Sequence, residues 1–332
     1  MLNVSVFHPD HFILLGIPGM EDLHLLLSIP FSLMYVVALF GNCTLILVIS
    51  TNEQLHQPMY IFLGMLTITD VLLCSSAVPK TLSIFWFKSH AILFDCCLVQ
   101  IFFIHYLFVI ESSILLTMAY DRYIAICSPL NYTTIITASF IRRTVLLAII
   151  RAFCIITPLV ILLNRLPYNQ SNIIPHTYCE HIAMAHRASA DITVNSVYGL
   201  VAAFSSTGVD MILIVVSYGV IIQTVLRLPN SEARSKAFNT TMSHVCVILL
   251  FYLPAFFSFI AHRAGQAKIP PSALILLANL YVIIPPMMNP IIYGIRTREI
   301  RQRLAAMLCK NTMRKLSSAS RPSPYSKSII LL

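Results

Sequence analysis

Six ionisable side chains stand inside long apolar runs of this 332-residue chain: Asp70, Glu111, Asp121, Arg122, Arg151 and Asp210. A charge in hydrocarbon is costly unless it finds a partner or water, so each of the six is a candidate for function. Asp121, Arg122 and Tyr123 close the third run, and an acid beside an always-charged guanidinium belongs where a membrane helix meets water. Asp70 and Glu111 lie in mid-run, and two carboxylates facing one interior either share a proton or hold a cation. Glu111, Arg122 and Cys97 recur on nearly one face of a helix with about 3.6 residues per turn. Cys97 and Arg122 are then about 37 Å apart, one at each mouth of the third run. Between the fourth and fifth runs, His176, Cys179, His181 and His186 are of metal-ligand type, but loop histidines are ordinarily solvated, and a transition metal is disfavoured. No nucleophile, base and acid form a catalytic constellation, so an enzyme is not expected.

These groups need elements to hold them, and composition names the kind. With 58% apolar and 11% charged residues, the chain cannot hide its apolar surface in one soluble core and reads as a membrane protein. Seven runs, 31–50, 59–85, 94–126, 144–163, 197–226, 237–261 and 272–295, are each long enough to span a bilayer at about 1.5 Å per residue. The expected fold is an all-α seven-transmembrane helix bundle, residues 28–296, with termini on opposite sides. Arg142, Arg143, Arg227, Arg234, Lys236, Arg296, Arg298, Arg301, Arg303 and Lys310 gather on one side, which the positive-inside rule makes cytoplasmic. Lys80, Lys88, Arg165, Arg187, Arg263 and Lys268 are scattered on or near the other. Residues 1–27 hold no Lys or Arg and carry a sequon at Asn3, so the N-terminus is expected outside, with the first span directing insertion. Residues 297–332 are expected to be cytoplasmic, a short amphipathic eighth helix on the inner leaflet followed by a disordered Ser-rich tail. The net charge of +9 sits in short loops and this tail, which marks topology and the lipid surface, not nucleic acid. No paired broken spans suggest a transporter, and no filter-like loop or charge ring suggests a channel.

The run Met118-Ala119-Tyr120-Asp121-Arg122-Tyr123-Ile124-Ala125-Ile126-Cys127-Ser128-Pro129-Leu130 resembles that of the olfactory receptors, a branch of the rhodopsin-like G-protein-coupled receptors. Gly41-Asn42, Pro58-Met59-Tyr60, Ser217-Tyr218, residues 236–244 and Pro286-Met287-Met288-Asn289-Pro290-Ile291-Ile292-Tyr293 look like the same family. Leu14-Leu15-Gly16-Ile17-Pro18-Gly19, Phe251-Tyr252-Leu253-Pro254 and residues 279–286 favour its class I, fish-like branch. The resemblance implies a plasma-membrane odorant receptor that couples to a heterotrimeric stimulatory, olfactory-type G protein and raises cyclic AMP. A receptor for a non-odorant metabolite outside the nose is the alternative. It further implies a Cys97–Cys179 bridge that fixes the loop after the fourth span as a lid, with Cys96 a competitor for Cys179 that the family pattern disfavours. Asn169 and Ser189 stand where many relatives carry a second cysteine pair, which predicts a looser lid, and Asn169-Gln170-Ser171 is a second sequon.

By the same resemblance, Asp121, Arg122, Tyr123, Tyr218, Asn289, Pro290 and Tyr293 form the coupling switch. Asp70 and Glu111 match a sodium pocket that favours the resting state, and no other cofactor is expected. Pro254, Pro286 and Pro290 supply kinks in the sixth and seventh helices, and Tyr252, counted among the ligand-binding residues, would relay binding to them. Class I receptors often recognise carboxylic acids, and Arg263, about 13 Å beyond Pro254 along the helix, matches the arginine that holds the carboxylate. His105, Phe108, Val109, Ser258 and Phe259 are its expected pocket neighbours. Phe259 replaces a polar group of a relative, which leaves room for a longer acid or a neutral odorant.

Overall fold

A computed structural model describes residues 8–169, 171–227, 229–264 and 269–307; the side chains of 233, 236, 239, 240 and 259–264 are not described. A backbone crossing hydrocarbon must satisfy its own hydrogen bonds, so the apolar runs fold as helices. Among the described residues there are seven: α1 (His24–Thr51), α2 (Pro58–Phe87), α3 (Phe94–Cys127), α4 (Ala138–Asn164), α5 (Thr193–Leu226), α6 (Ser231–Ala264) and α7 (Pro271–Arg296). All seven are long and apolar enough to cross a bilayer, which makes the chain a multi-pass membrane protein.

Several helices outrun the apolar counts, and at α4 a polar cap sets the start. Thr137 Oγ1 accepts the Phe140 N–H at 3.2 Å and opens α4 six residues before the run beginning at 144. Arg142 and Arg143 therefore ride on α4 itself and not in the loop before it. Likewise, α6 takes in Arg234 and Lys236. α1 begins at His24, after a 3₁₀ turn at Glu21–Leu23, so the last four of residues 1–27 are helical. A π-helical turn at Phe204–Gly208 interrupts α5, a one-residue irregularity that a hydropathy count does not register. After an extended Thr297, residues 298–307 form the expected eighth helix, and the tail beyond lies outside the described residues.

α3 runs through the centre of the bundle, while α1, α4 and α5 present wide faces to lipid. The α1–α7 contact shows how the prolines are accommodated. Pro290 has no N–H for the Pro286 carbonyl one turn back, and Asn42 supplies the donor from α1, its Nδ2 lying 2.7 Å from that oxygen. Gly41 makes the approach feasible, since a Cβ there would sit 2.7 Å from the Pro290 ring.

The all-α bundle carries one small sheet at its rim. Beside the bundle end that carries Cys97, β1 (His11–Leu14) pairs antiparallel with β2 (Ala91–Leu93) and parallel with β3 (Ile173–Ile174). Phe12 and Leu14 are completely buried, and Phe12 packs on Phe94 and Tyr168 with ring centroids 5.8 and 5.5 Å away. The N-terminal segment thus stitches the first and second loops of that end together. Gly16, at φ +86, turns the chain out of the strand where the His24 ring leaves no room for a side chain. The His24 Nε2 accepts the Ile17 N–H at 3.1 Å there.

Candidate functional site

Polar groups recur at several levels along the bundle beneath the disulfide. Cys97 and Cys179 are joined with Cα atoms 5.5 Å apart, and Cys96 is free and exposed. The loop on Cys179 is drawn deep into the bundle mouth. Its Cys179 N–H donates to Gln100 Oε1 at 2.9 Å, Thr177 donates to Asn279 at 2.8 Å, and the Tyr178 hydroxyl donates to the Ala278 carbonyl at 3.2 Å. The looser lid expected from Asn169 and Ser189 is partly compensated: the Asn169 N–H donates to Ser189 Oγ at 3.2 Å, and the Ser189 N–H to the Pro167 carbonyl at 2.8 Å. Asn169 is exposed; Asn3 lies outside the described residues. Among the described residues no His, Cys, Asp and Glu cluster could hold a metal ion, so the four loop residues do not assemble a transition-metal site.

The first level is a cavity of about 170 Å³ under this loop, between α3, α4, α5, α6 and α7. At roughly 10–15 Å³ per water-sized group it admits a ligand of about ten heavy atoms. His105, Phe108, Val109 and Ser258 line it, as expected from sequence. Tyr252 does not, and the side chains of Phe259 and Arg263 lie outside the described residues. Lining residues that sequence reading passed over are Glu180 and His181, Ser206 and Thr207, and Phe256 and Tyr281. A usable signal existed for two of them, because any residue following Cys179 is dragged to the bundle mouth by the bridge. The π turn that aims Ser206 and Thr207 left none.

Directly below, Tyr252 belongs to a buried network. Its hydroxyl lies 2.8 Å from Ser112 Oγ, and Ser112 donates to Asp210 Oδ2 at 2.7 Å. Arg151 reaches across from α4, binding both Asp210 oxygens through Nη1 and Nη2 and Ser113 Oγ at 2.9 Å. A fork-to-fork pair of this kind answers the desolvation of both ions with directed hydrogen bonds. Phe108, on the cavity wall, stacks on Phe251 at 4.4 Å, and Phe251 meets Tyr252 edge-on at 4.9 Å. A ligand touching Phe108 is therefore two ring contacts from the network.

Another level holds Asp70 and Glu111, both fully buried. Asn289 Nδ2 donates to both Asp70 oxygens at 3.1 and 3.0 Å. Neither Glu111 oxygen accepts a hydrogen bond among the described residues, nor do Asn289 Oδ1 and Asn42 Oδ1. The neighbouring Thr69 hydroxyl gives its proton to the Leu66 carbonyl at 2.9 Å. Several buried acceptor oxygens with no donor fit a hard cation bound by oxygen, or a proton.

At the far end, Asp121 accepts from Arg122 Nη2 at 2.9 Å and from the Tyr132 hydroxyl at 2.7 Å. Burial, and then the Asp121 carboxylate, hold the Tyr132 phenol above its usual range, so it stays a donor. Tyr123 stacks near Tyr120, and Tyr293 lies 3.4 Å from His244 Nδ1. The buried Tyr218 hydroxyl has no partner among the described residues. An arginine tied back to its neighbouring acid, with a tyrosine left unsatisfied nearby, is a contact set that can be exchanged.

Comparison with known proteins agrees with this arrangement. A family model described as olfactory receptor matches residues 31–311. Human olfactory receptor 52B2 is 52% identical over 303 residues, 91% of this chain and 94% of that receptor. Human olfactory receptor 52D1 is 51% identical over 92% of this chain and 96% of its own, and human olfactory receptor 52B6 55% identical over 86% and 85%. A match of this extent, on a seven-helix chain with a cavity above an exchangeable arginine, places the protein in the olfactory receptor family, which are receptors and not enzymes.

Proposed function

We propose that this receptor binds a small volatile or short-chain molecule, carboxylic acids first, in the cavity under the Cys97–Cys179 loop, and raises cyclic AMP through a stimulatory, olfactory-type G protein. Odorant reception and a G-protein partner follow from the family; the acid, the G-protein type and the residue roles are the proposal. The observation that carries it is the cavity's position on the Phe108, Phe251 and Tyr252 rings above the Arg151–Asp210 network. A ligand preferring one arrangement of those rings shifts the population toward it. α6 would then move about Pro254 and free Arg122 from Asp121, with Tyr218 and Tyr293 as new partners and Tyr123, Asn289 and Pro290 in the same switch. Arg263 is assigned the ligand carboxylate, with Phe259 among the pocket residues, on the family resemblance. The Cys97 end and residues 1–27 are assigned to the cell exterior, with Asn3 and Asn169 as glycosylation sites, and residues 297–332 to the cytoplasm. Asp70 and Glu111 are assigned a sodium ion that favours rest.

The test is expression at a cell surface with a cyclic AMP reporter and an odorant panel rich in aliphatic acids. An agonist response that Arg122→Ala abolishes, while surface display persists, is expected. Ion current or ligand flux without a G protein would end the reading.

A further inference from the structure

Three groups on the described cavity wall, His105, Ser206 and Glu180, turn acceptors and not donors toward a ligand. His105 Nδ1 lies 2.9 Å from the Ile101 carbonyl, which can only accept. The neutral ring therefore carries its proton on Nδ1 and offers Nε2 as a lone pair. Ser206 gives its hydroxyl proton to the Ala202 carbonyl at 2.6 Å. Glu180 accepts the Ala183 N–H on Oε2 at 2.6 Å, which fixes the carboxylate in the wall beside His105 with Oε1 unengaged among the described residues. An ionised carboxylate has no proton to give. Most of the remaining wall is hydrocarbon, from Ile104, Phe108, Leu159 and Phe256.

We propose that His105 Nε2 and the Glu180 carboxylate select a ligand that brings a hydroxyl donor to them on an aliphatic chain. Where Arg263 holds a carboxylate, the preferred agonist is a hydroxy acid; that acid end rests on the proposed function, and the hydroxyl end stands on the cavity alone. An unsubstituted carboxylate brought to His105 and Glu180 meets a like charge and no donor from either. A bare methyl there leaves two half-buried acceptors without a donor, which costs part of their desolvation. A hydroxyl satisfies one or both without adding charge.

Half-maximal concentrations are to be measured with a cyclic AMP reporter for matched pairs. These are an alkanoic acid with its hydroxy analogues, the hydroxyl walked along the chain, and a 1-alkanol with its methyl ether. The wild-type receptor is compared with Glu180→Gln and His105→Phe at matched surface display. The best hydroxylated member should be about 5- to 10-fold more potent than its partner. His105→Phe should shrink that advantage to about twofold or less. Glu180→Gln, whose amide keeps the bond to Ala183 and adds a donor, should move preference toward the ether. Equal potency within each pair, an advantage that survives both substitutions, or silence toward every hydroxylated compound overturns the inference. Acids that fail while alkanols keep their advantage remove the carboxylate reading and leave this one standing.

Discussion

Arg151 and Asp210 show why a buried charge is best understood through its partner. Each alone is an expensive residue at membrane depth; together, with Ser112, Ser113 and Tyr252, nearly every polar atom finds a mate. Removing one ion strands the other, a loss of about 3–5 kcal/mol in comparable buried pairs, whereas replacing both with apolar groups is far milder. Arg151→Met and Asp210→Leu should each deplete surface display strongly, and the double variant should recover most of it; a double variant as poor as the worse single one would show that the two do not act as a pair. Both residues were conspicuous in the sequence as intramembrane charges, yet their pairing was not, because 59 positions separate them and only the helix arrangement brings them together. Of the residues that the resemblance marks for ligand binding, His105, Phe108, Val109 and Ser258 line the cavity, while Tyr252 lies in the network beneath it. Arg263 carries its own prediction: Arg263→Ala should raise the half-maximal concentration of an acid agonist by roughly 10- to 100-fold, the worth of a charge-assisted contact. An unchanged acid response in that variant removes the anchor.

The element that most changes the picture is the loop between α4 and α5. One covalent bond and hydrogen bonds from Thr177, Tyr178 and Cys179 set it into the mouth of the bundle, and β1 braces it from the N-terminal side. Cys97→Ser and Cys179→Ser should therefore lower surface display and agonist response equally, and the double variant should be no worse than either. Cys96→Ser should leave both intact, and a Cys96 variant that matched Cys179→Ser would reassign the bridge. Phe12→Ala probes the brace in a different way. A fully buried phenylalanine truncated to alanine costs about 3–5 kcal/mol, so this change outside every membrane span should reduce display about as much as losing the disulfide. The helices were legible because hydropathy reports spans directly, and proline and threonine signals refine their ends. β1 was not, for a strand of His11, Phe12, Ile13 and Leu14 has no partner within its own stretch of chain and is defined only by loops far away in sequence.

At the scale of the whole receptor, a cavity at one end and an arginine at the other must communicate through the middle, where α2, α3 and α7 meet at Asp70, Glu111 and Asn289. The Asp70–Asn289 contact ties α2 to α7, and among the described residues the Glu111 oxygens accept no hydrogen bond, an arrangement that a cation or a proton would satisfy. An ion that fits this arrangement better than the signalling one must weaken agonist binding by the same factor that agonist weakens ion binding. Sodium is the ion to test. Replacing extracellular sodium with a bulky organic cation should raise basal cyclic AMP and lower the half-maximal agonist concentration by about fivefold, the low end of ordinary coupling energies. Asp70→Asn keeps the side chain's size and its ability to meet Asn289 while removing the charge that an ion needs. It should abolish the sodium dependence, and Glu111→Gln should do the same from the other helix. A wild-type receptor indifferent to sodium, with Asp70→Asn still signalling normally, would assign the layer to a shared proton and leave the route between the two ends to the Tyr252 network.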